Sequence, residues 1–343
     1  MSPIMPFTII FSIFLISGSL IALSARQWIY VWLGLEINLF SFIPLITFNS
    51  ERFQTERAIK YFLVQAIGRG LLLLGAAAST SLLHSVPIKI TSLIIIAGLI
   101  IKLGLAPLHF WLPQVISGLR WPICIILATW QKLAPIILII KTVIPHSFIL
   151  LSLVAMIRAL TGGIGGLNQT LLRPLLAYSS IGHIGWITAS ILISSKITLI
   201  YFSIYIIITM CLISALLLRS SSQTIINHKL AHYSPANILC VALLLLSLGG
   251  IPPLLGFLPK WLVLSALTEH TLTLLSLTLI MGSLINLFYY LNIFLNLVIS
   301  KSPVSFNLFS PNKLLTILTL TGSITLPLLQ PILIYAMTIL HKS

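Results

Sequence analysis

The sequence predicts an all-α polytopic membrane protein. Of its 343 residues, 58% are hydrophobic and only 7% are charged, whereas soluble globular proteins contain about 25% charged residues. The mean hydropathy is +1.14, and apolar runs of about 20 residues recur along the whole chain. Because lipid cannot satisfy open backbone N–H and C=O groups, we expect these runs to be helices. This composition excludes a soluble enzyme, a nucleic-acid-binding protein and a disordered chain.

Polar residues and clusters of Pro and Gly divide the sequence into about eleven apolar spans, which we expect to be transmembrane helices. At about 1.5 Å per residue, each span is long enough to cross roughly 30 Å of bilayer hydrocarbon. The longest loops, 219–234 and 300–312, are too short to fold as domains, so we expect one integral membrane domain over residues 1–343. The predicted spans are 3–23, 27–47, 57–81, 88–116, 121–144, 147–167, 172–194, 197–218, 235–267, 271–299 and 313–339.

Two of these spans, 88–116 and 235–267, are longer than a bilayer requires, and both are predicted to be broken helices. Each contains the pattern L-G-x-x-P, followed by a Phe and a further Pro. Pro107 and Pro252 lack an N–H and therefore free the backbone carbonyl of the leucine four residues earlier. Interrupted helices in the two halves of a chain are typical of ion sites in transporters. Two ordinary proline kinks are the alternative.

Four ionisable residues lie near the middle of separate spans or beside the breaks. Glu36, Lys102, Lys132 and Lys260 would each cost about 2.5–3.5 kcal/mol at the centre of a bilayer, so their presence requires a reason. Burial disfavours the charged form of lysine, which allows a buried lysine to take up and release a proton. The sequence therefore predicts a chain of proton carriers. The alternative is a structural ion pair between Glu36 and one lysine, which would leave two lysines without partners.

Two histidines are candidate relays between the lysines. His183 shares a helix face with a serine four residues earlier, and His109 follows the first break. Imidazole changes its charge near neutral pH, so either residue suits a relay, and a hydrogen-bonded packing histidine is the alternative at both positions. We expect Lys132 to be the central carrier, which links Lys102 to Lys260 through water and His183.

The net charge of +15 arises because only four acidic residues accompany 19 Lys and Arg residues. There is no dense basic stripe, so we expect loop cations that face anionic phospholipid headgroups, and no nucleic-acid partner. The N-terminal side of the predicted spans carries more Lys and Arg than the other side, which favours an N-terminus on the inner side of the membrane. The sequence has no dinucleotide-binding glycine motif, P-loop or metal-ligand spacing, and we expect no nucleotide, flavin or metal on this chain.

Seven motifs follow one another along roughly residues 3–300. They are WLGLEINLFSFIPL (32–45), KYFLVQA (60–66), IIKLGLAPLHFWLPQV (100–115), TWQKLAP (129–135), GGLNQT (165–170), AYSSIGHIGW (177–186) and GGIPPLLGFLPKWL (249–262). These motifs closely resemble the family of chain 2 of mitochondrial NADH–ubiquinone oxidoreductase, the antiporter-like membrane subunits of respiratory complex I. Their length makes the resemblance specific.

The resemblance implies an antiporter-like fold of two inverted five-helix repeats, each with one broken helix. It implies that Glu36, Lys102, Lys132 and Lys260 form the proton path of a subunit of the H⁺-translocating NADH:ubiquinone reductase. NADH, FMN, iron–sulfur clusters and ubiquinone would bind other subunits, where electron transfer drives the pumping. The implied partners are the other membrane-arm subunits, the lateral helix of the distal antiporter-like subunit and phospholipids. The implied location is the mitochondrial inner membrane, with the N-terminus facing the matrix.

Two other function classes remain open from the sequence. One is a subunit of a cation/proton antiporter, which would share the broken helices and the lysines. The other is a structural spacer of the membrane arm that moves no protons.

Two arginines, Arg69 and Arg158, depart from the family that the motifs resemble. Each lies in an apolar span with no acidic residue nearby in the sequence. Related chains often have serine or another small residue near these positions, and some mitochondrial genetic codes read AGA and AGG as serine. We therefore hypothesise that one or both arginines are errors in translating the gene sequence.

Overall fold

The computed structural model describes residues 6–48, 52–79, 87–104, 108–142, 147–217 and 235–299. Ten of the eleven predicted spans fall in this part of the chain, and the eleventh, 313–339, lies outside the described residues. The helices that the described residues form are α1 (Pro6–Ser24), α2 (Trp28–Thr47), α3 (Arg52–Ser79), α4 (Ile88–Lys102), α5 (Trp111–Gly118), α6 (Trp121–Ala128), α7 (Trp130–Thr142), α8 (Phe148–Leu167), α9 (Leu172–Ile191), α10 (Ser195–Leu217), α11 (Pro235–Gly249), α12 (Phe257–Glu269) and α13 (Thr273–Ile299).

The predicted fold class, an all-α polytopic membrane protein, is confirmed. Within the described residues, 7 stretches are long and apolar enough to cross a membrane, and one of them, Trp121–Thr142, combines α6 and α7. Two further predicted spans are the broken helices α4–α5 and α11–α12. The remaining span is α9, in which every residue from Ser179 to Ile191 is buried. Most of α9 therefore contacts protein rather than lipid.

The chain divides into two compact units, Met1–Val154 and Ala155–Ser343, with the boundary inside α8. In the first unit, α1 contacts α2, α2 contacts α3, α3 contacts α4, α4 contacts α7, and α7 contacts α1 again. These helices therefore surround a common interior. In the second unit, α9 contacts α10, α12 and α13. Each unit contains one broken helix, and the single membrane domain stays a prediction.

Both breaks begin with a glycine in the left-handed region of backbone conformation. α4 ends at Lys102, and Gly104 has a φ of +67°. α11 ends at Gly249, and Gly250 has a φ of +83°. The N–H of each of these two glycines donates to the carbonyl three residues earlier, at 2.9 and 3.0 Å respectively. Left-handed glycines are a common way to satisfy the last carbonyls of a helix. Pro107 itself lies outside the described residues.

A third interruption, which the sequence did not predict, lies within the span 121–144. The structure separates α6 from α7 at Thr129, which has φ −116° and ψ −69°. The Thr129 hydroxyl donates to the carbonyl of Ile125 at 2.7 Å, and threonine bonds of this kind often bend helices. The bend lies three residues before Lys132, so it sets the direction of the segment that carries this lysine.

Candidate functional site

A buried polar cavity lies inside the first unit. Its volume is about 20 Å³, which is enough for at least one water molecule. Two predicted site residues line it: Lys132 on α7, which is 3% exposed, and Lys102, the partly exposed last residue of α4. The fold thus brings two candidate proton carriers from different spans to one water-sized space.

Three amide side chains and one tyrosine line the same cavity, namely Asn38, Tyr61, Gln65 and Gln131. Gln131 Nε2 donates to Asn38 Oδ1 at 2.7 Å. Gln65 Nε2 donates to the backbone carbonyl of Lys102 at 3.3 Å. Sequence analysis did not identify these residues as part of a site. The available signal was their polarity within otherwise apolar spans.

Glu36 is not among the residues that line the cavity; it forms an ion pair with Arg69 of α3. Arg69 is 6% exposed, and its guanidinium lies 5.7 Å from the ring centre of Phe40 and 5.6 Å from that of Phe62. The structure therefore gives Arg69 an acidic partner that is distant in the sequence. The role of Glu36 in a proton path stays a prediction.

Lys260 lies in the second unit, in the first turn of α12, and is 6% exposed. Its Nζ donates to the carbonyl of Gly249 at 2.6 Å and to that of Leu248 at 3.4 Å. In a continuous helix these carbonyls would accept from Pro253 and Pro252, which have no N–H. The lysine ammonium therefore satisfies the carbonyls that the second break leaves open.

His183 lies on α9 in the second unit and is 6% exposed. Its Nδ1 lies 3.1 Å from the hydroxyl of Tyr201 on α10, and its ring centre lies 5.3 Å from that of Tyr205. Tyr201 is 1% exposed. The sequence did not point to these tyrosines, because they lie in an apolar run in which an aromatic residue is ordinary core. A buried, hydrogen-bonded imidazole is compatible with both the relay and the packing interpretation.

His109, the other candidate relay, lies in the first break and is 7% exposed. Its ring centre lies 4.2 Å from that of Phe110. His109 is not among the residues that line the cavity with Lys102 and Lys132. Its role as a relay stays a prediction.

In the part of the chain that the structure describes, no group of three or more His, Cys, Asp and Glu side chains is arranged to hold a metal ion. Cys124, Cys211 and Cys240, all in the described part of the chain, are not joined by disulfides.

A family model and two solved structures identify the class of membrane protein to which this chain belongs. A family model described as NADH:quinone oxidoreductase/Mrp antiporter, TM, matches residues 25–286. A chain of respiratory complex I from Thermus thermophilus has a similar structure, with a TM-score of 0.82 and 25% identity over 94% of this chain and 78% of that chain. A chain of the Mrp complex from Dietzia sp. DQ12-45-1b has the same fold, with a TM-score of 0.73 and 17% identity over 83% of this chain and 59% of its own.

Curated relatives narrow this class to one family. NADH-ubiquinone oxidoreductase chain 2 of Varanus baritji is 39% identical over 298 residues, which is 85% of each chain. The protein of the same name from Symphalangus syndactylus is 37% identical over 91% of this chain and 94% of its own. That of Lumbricus terrestris is 39% identical over 84% of this chain and 85% of its own. The chain therefore belongs to the NADH–ubiquinone oxidoreductase chain 2 family.

The second break depends on the absence of a side chain at Gly250, and a substitution there tests this. A Cβ at Gly250 would lie 2.8 Å from Nζ of Lys260 and 2.9 Å from its Cδ, and the φ of +83° is unfavourable for alanine. We expect Gly250→Ala to destabilise the protein by about 1–2 kcal/mol from the backbone alone. The measurement is the thermal unfolding midpoint of the detergent-solubilised native assembly. Gly249→Ala is the control, because its Cβ would meet its nearest atom at 3.5 Å. Equal midpoints for the two variants would contradict this account.

The identity of residues 69 and 158 can be measured directly. Arg158 is 0% exposed, and its Cβ lies close to Gly185 of α9, so a serine fits the same backbone without burying a cation. We expect mass spectrometry of peptides across 61–75 and 150–165 to show serine at one or both positions. Trypsin would then leave the chain uncut there. Arginine at both positions would end the hypothesis of a translation error.

Proposed function

We propose that this chain is a proton-translocating, antiporter-like membrane subunit of respiratory complex I. It couples NADH-to-ubiquinone electron transfer, performed elsewhere in the complex, to proton movement. The observation that carries the proposal is the buried cavity at which Lys102 and Lys132 meet beside a broken helix. Membership of the NADH–ubiquinone oxidoreductase chain 2 family supports it. The chain thus contributes to the activity of an NADH:ubiquinone reductase as one of its subunits.

The cavity allows protons to move between the two lysines through water. Lysine exists in a charged and a neutral form, and burial brings the free energies of the two forms closer together. At a separation of about 8 Å and an effective dielectric constant near 20, two positive charges repel by about 2 kcal/mol. A proton that arrives on Lys102 therefore favours release from Lys132, and the reverse. Glu36, which is paired with Arg69 in the structure, is proposed as a further member of this path, as the resemblance implies.

In the second unit we propose Lys260 and His183 as further carriers. As an ammonium, Lys260 donates to the carbonyls of Leu248 and Gly249 at the end of α11. Loss of its proton would weaken these hydrogen bonds. His183, hydrogen-bonded to Tyr201, has an imidazole whose charge can change near neutral pH. Transfer from Lys132 to His183, and a contribution of His109, remain predictions from the sequence.

We also propose the setting in which the chain works. It would lie in the mitochondrial inner membrane with its N-terminus on the matrix side, as the distribution of loop Lys and Arg suggests. Its partners would be other membrane-arm subunits, the lateral helix of the distal antiporter-like subunit and phospholipids. NADH, FMN, iron–sulfur clusters and ubiquinone would bind other subunits. Exposed apolar side chains along α1 and α13 suit lipid or neighbouring membrane helices.

Two other functions are less well supported. A stand-alone cation/proton antiporter would have the same fold, but the relatives with 34–39% identity over most of the chain carry the name of the oxidoreductase subunit. A spacer that moves no protons would have no use for two lysines, one of them buried, at a water-sized cavity. The buried lysines therefore favour proton transfer.

Substitution of Lys102 tests the proposal. Lys102→Met removes the ionisable group with little change in volume, and Lys102→Arg keeps a charge that cannot be released. Because proton-transfer groups contribute about 10²–10⁴-fold to rates, we expect both variants to lower coupled NADH-to-quinone turnover at least tenfold, with the complex still assembled. The measurements are turnover and proton uptake in native membrane vesicles, and assembly on native gels.

Lys89→Met is the matched control, because Lys89 lies in the first turn of the same helix and is exposed. We expect normal turnover in this control. Normal turnover and proton yield in assembled Lys102→Met would refute a role for Lys102 in proton transfer.

A further inference from the structure

Besides Lys102 and Lys132, the cavity in the first unit is lined by three amide side chains that cannot themselves carry protons. Asn38 is 4% exposed and Gln65 is 3% exposed, and Gln131 lies beside them. Buried amides are uncommon in a membrane interior, since each must find hydrogen-bond partners that lipid does not offer. Their presence at the space between Lys102 and Lys132 therefore requires an explanation.

Two hydrogen bonds connect the three amides to each other or to the chain segments that carry the two lysines. Gln131 immediately precedes Lys132 on α7, and its Nε2 donates to Asn38 Oδ1 on α2 at 2.7 Å. Gln65 on α3 donates to the backbone carbonyl of Lys102 at 3.3 Å, where α4 ends. The two amide hydrogen bonds thus link α2 to α7, next to Lys132, and α3 to the end of α4 at Lys102.

The bond between Gln131 and Asn38 uses one polar atom of each amide and leaves Gln131 Oε1 and Asn38 Nδ2, on two residues that line the cavity, for other partners. Gln131 Nε2 and Asn38 Oδ1 satisfy each other, which fixes the orientation of both amides. Among the described residues, Gln131 Oε1 and Asn38 Nδ2 have no other hydrogen-bond partner and are available to water. The backbone carbonyl of Gln131 is a further acceptor, because Pro135, four residues later, has no N–H. A water in this cavity would therefore meet donors and acceptors in a set arrangement.

We propose that Asn38 and Gln131, supported by Gln65, are positioning residues that orient water between Lys102 and Lys132. Protons move along the oriented water, and the amides neither gain nor lose a proton. This inference rests on the proposed function, because it assumes that the two lysines exchange protons. It adds that the amide pair sets the direction of the water's hydrogen bonds, so that one water can accept from one lysine while it donates to the other.

A structural role for the amide pair, as a tie between α2 and α7, is the competing explanation. Removal of one amide leaves its buried partner unsatisfied, which destabilises the structure whichever role is correct. Replacement of both partners by apolar groups of similar shape is often close to neutral for stability. The double variant Asn38→Leu/Gln131→Met is therefore decisive, because it keeps the packing and removes the groups that orient water.

The experiment uses the assembled complex in native membrane vesicles, with assembly checked on native gels. We expect the double variant to assemble and to lower coupled NADH-to-quinone turnover by roughly tenfold or more, since small displacements of reacting groups cost rates of this order. We also expect a larger rate difference between H₂O and D₂O than in the unmodified complex, because proton transfer through water becomes rate-limiting. An assembled double variant with unmodified turnover and an unchanged solvent isotope effect would overturn the proposal.

Two further variants make the result specific. Ser41→Ala is the control, because Ser41 is buried on α2, bonds within its own helix to the carbonyl of Asn38 and does not line the cavity; we expect it to behave as the unmodified complex does. Lys102→Met, measured alongside, separates the two levels of inference. Normal proton yield in Lys102→Met refutes the proposed function. A defective Lys102→Met beside a normal double variant refutes only the positioning role of the amides.

Discussion

Backbone carbonyls at membrane depth must find a hydrogen-bond donor inside the protein, and this constraint shapes both broken helices. Lipid offers no donor, so each interruption of a helix needs local partners. Left-handed glycines supply the first of these at Gly104 and Gly250. Polar side chains supply the rest: Gln65 donates to the end of α4, and Lys260 donates to the end of α11. The groups that complete the broken helices are therefore the same groups that introduce polar chemistry into the membrane interior.

The buried charges have partners of different kinds, and the kind of partner determines what each charge can do. Glu36 faces Arg69, a cation that does not release its proton, so the two charges of this pair are fixed and offset each other. Lys260 faces carbonyl dipoles. Lys102 and Lys132 instead meet at a cavity large enough for water, where a neutral and a charged state can alternate.

In the second unit, α9 carries His183 and several serines and is surrounded by protein. Every residue of α9 from Ser179 to Ile191 is buried, and close helix contacts at its glycines leave little room for larger side chains. His183 is held there by Tyr201. A polar helix is stable in a membrane when neighbouring helices shield it from lipid, so α9 can present titratable side chains where a lipid-facing helix could not.

The sequence by itself determined the helical membrane class, both breaks and ten spans that the structure describes as helices. Hydropathy reveals the spans because lipid tolerates only apolar, helical segments. The L-G-x-x-P motifs reveal the breaks because proline has no N–H to continue a helix. It also singled out the buried lysines, since a charge in an apolar span is visible without any knowledge of packing. Only the tertiary structure decided which partners these residues have. The pairing of Glu36 with Arg69 and the amide bond between Gln131 and Asn38 join distant parts of the chain. The bend at Thr129 likewise escaped prediction, because a threonine in an apolar helix more often leaves it straight. Long-range contacts of this kind depend on which faces of two helices pack against each other. The spacing of residues along one helix does not determine which helix packs against it.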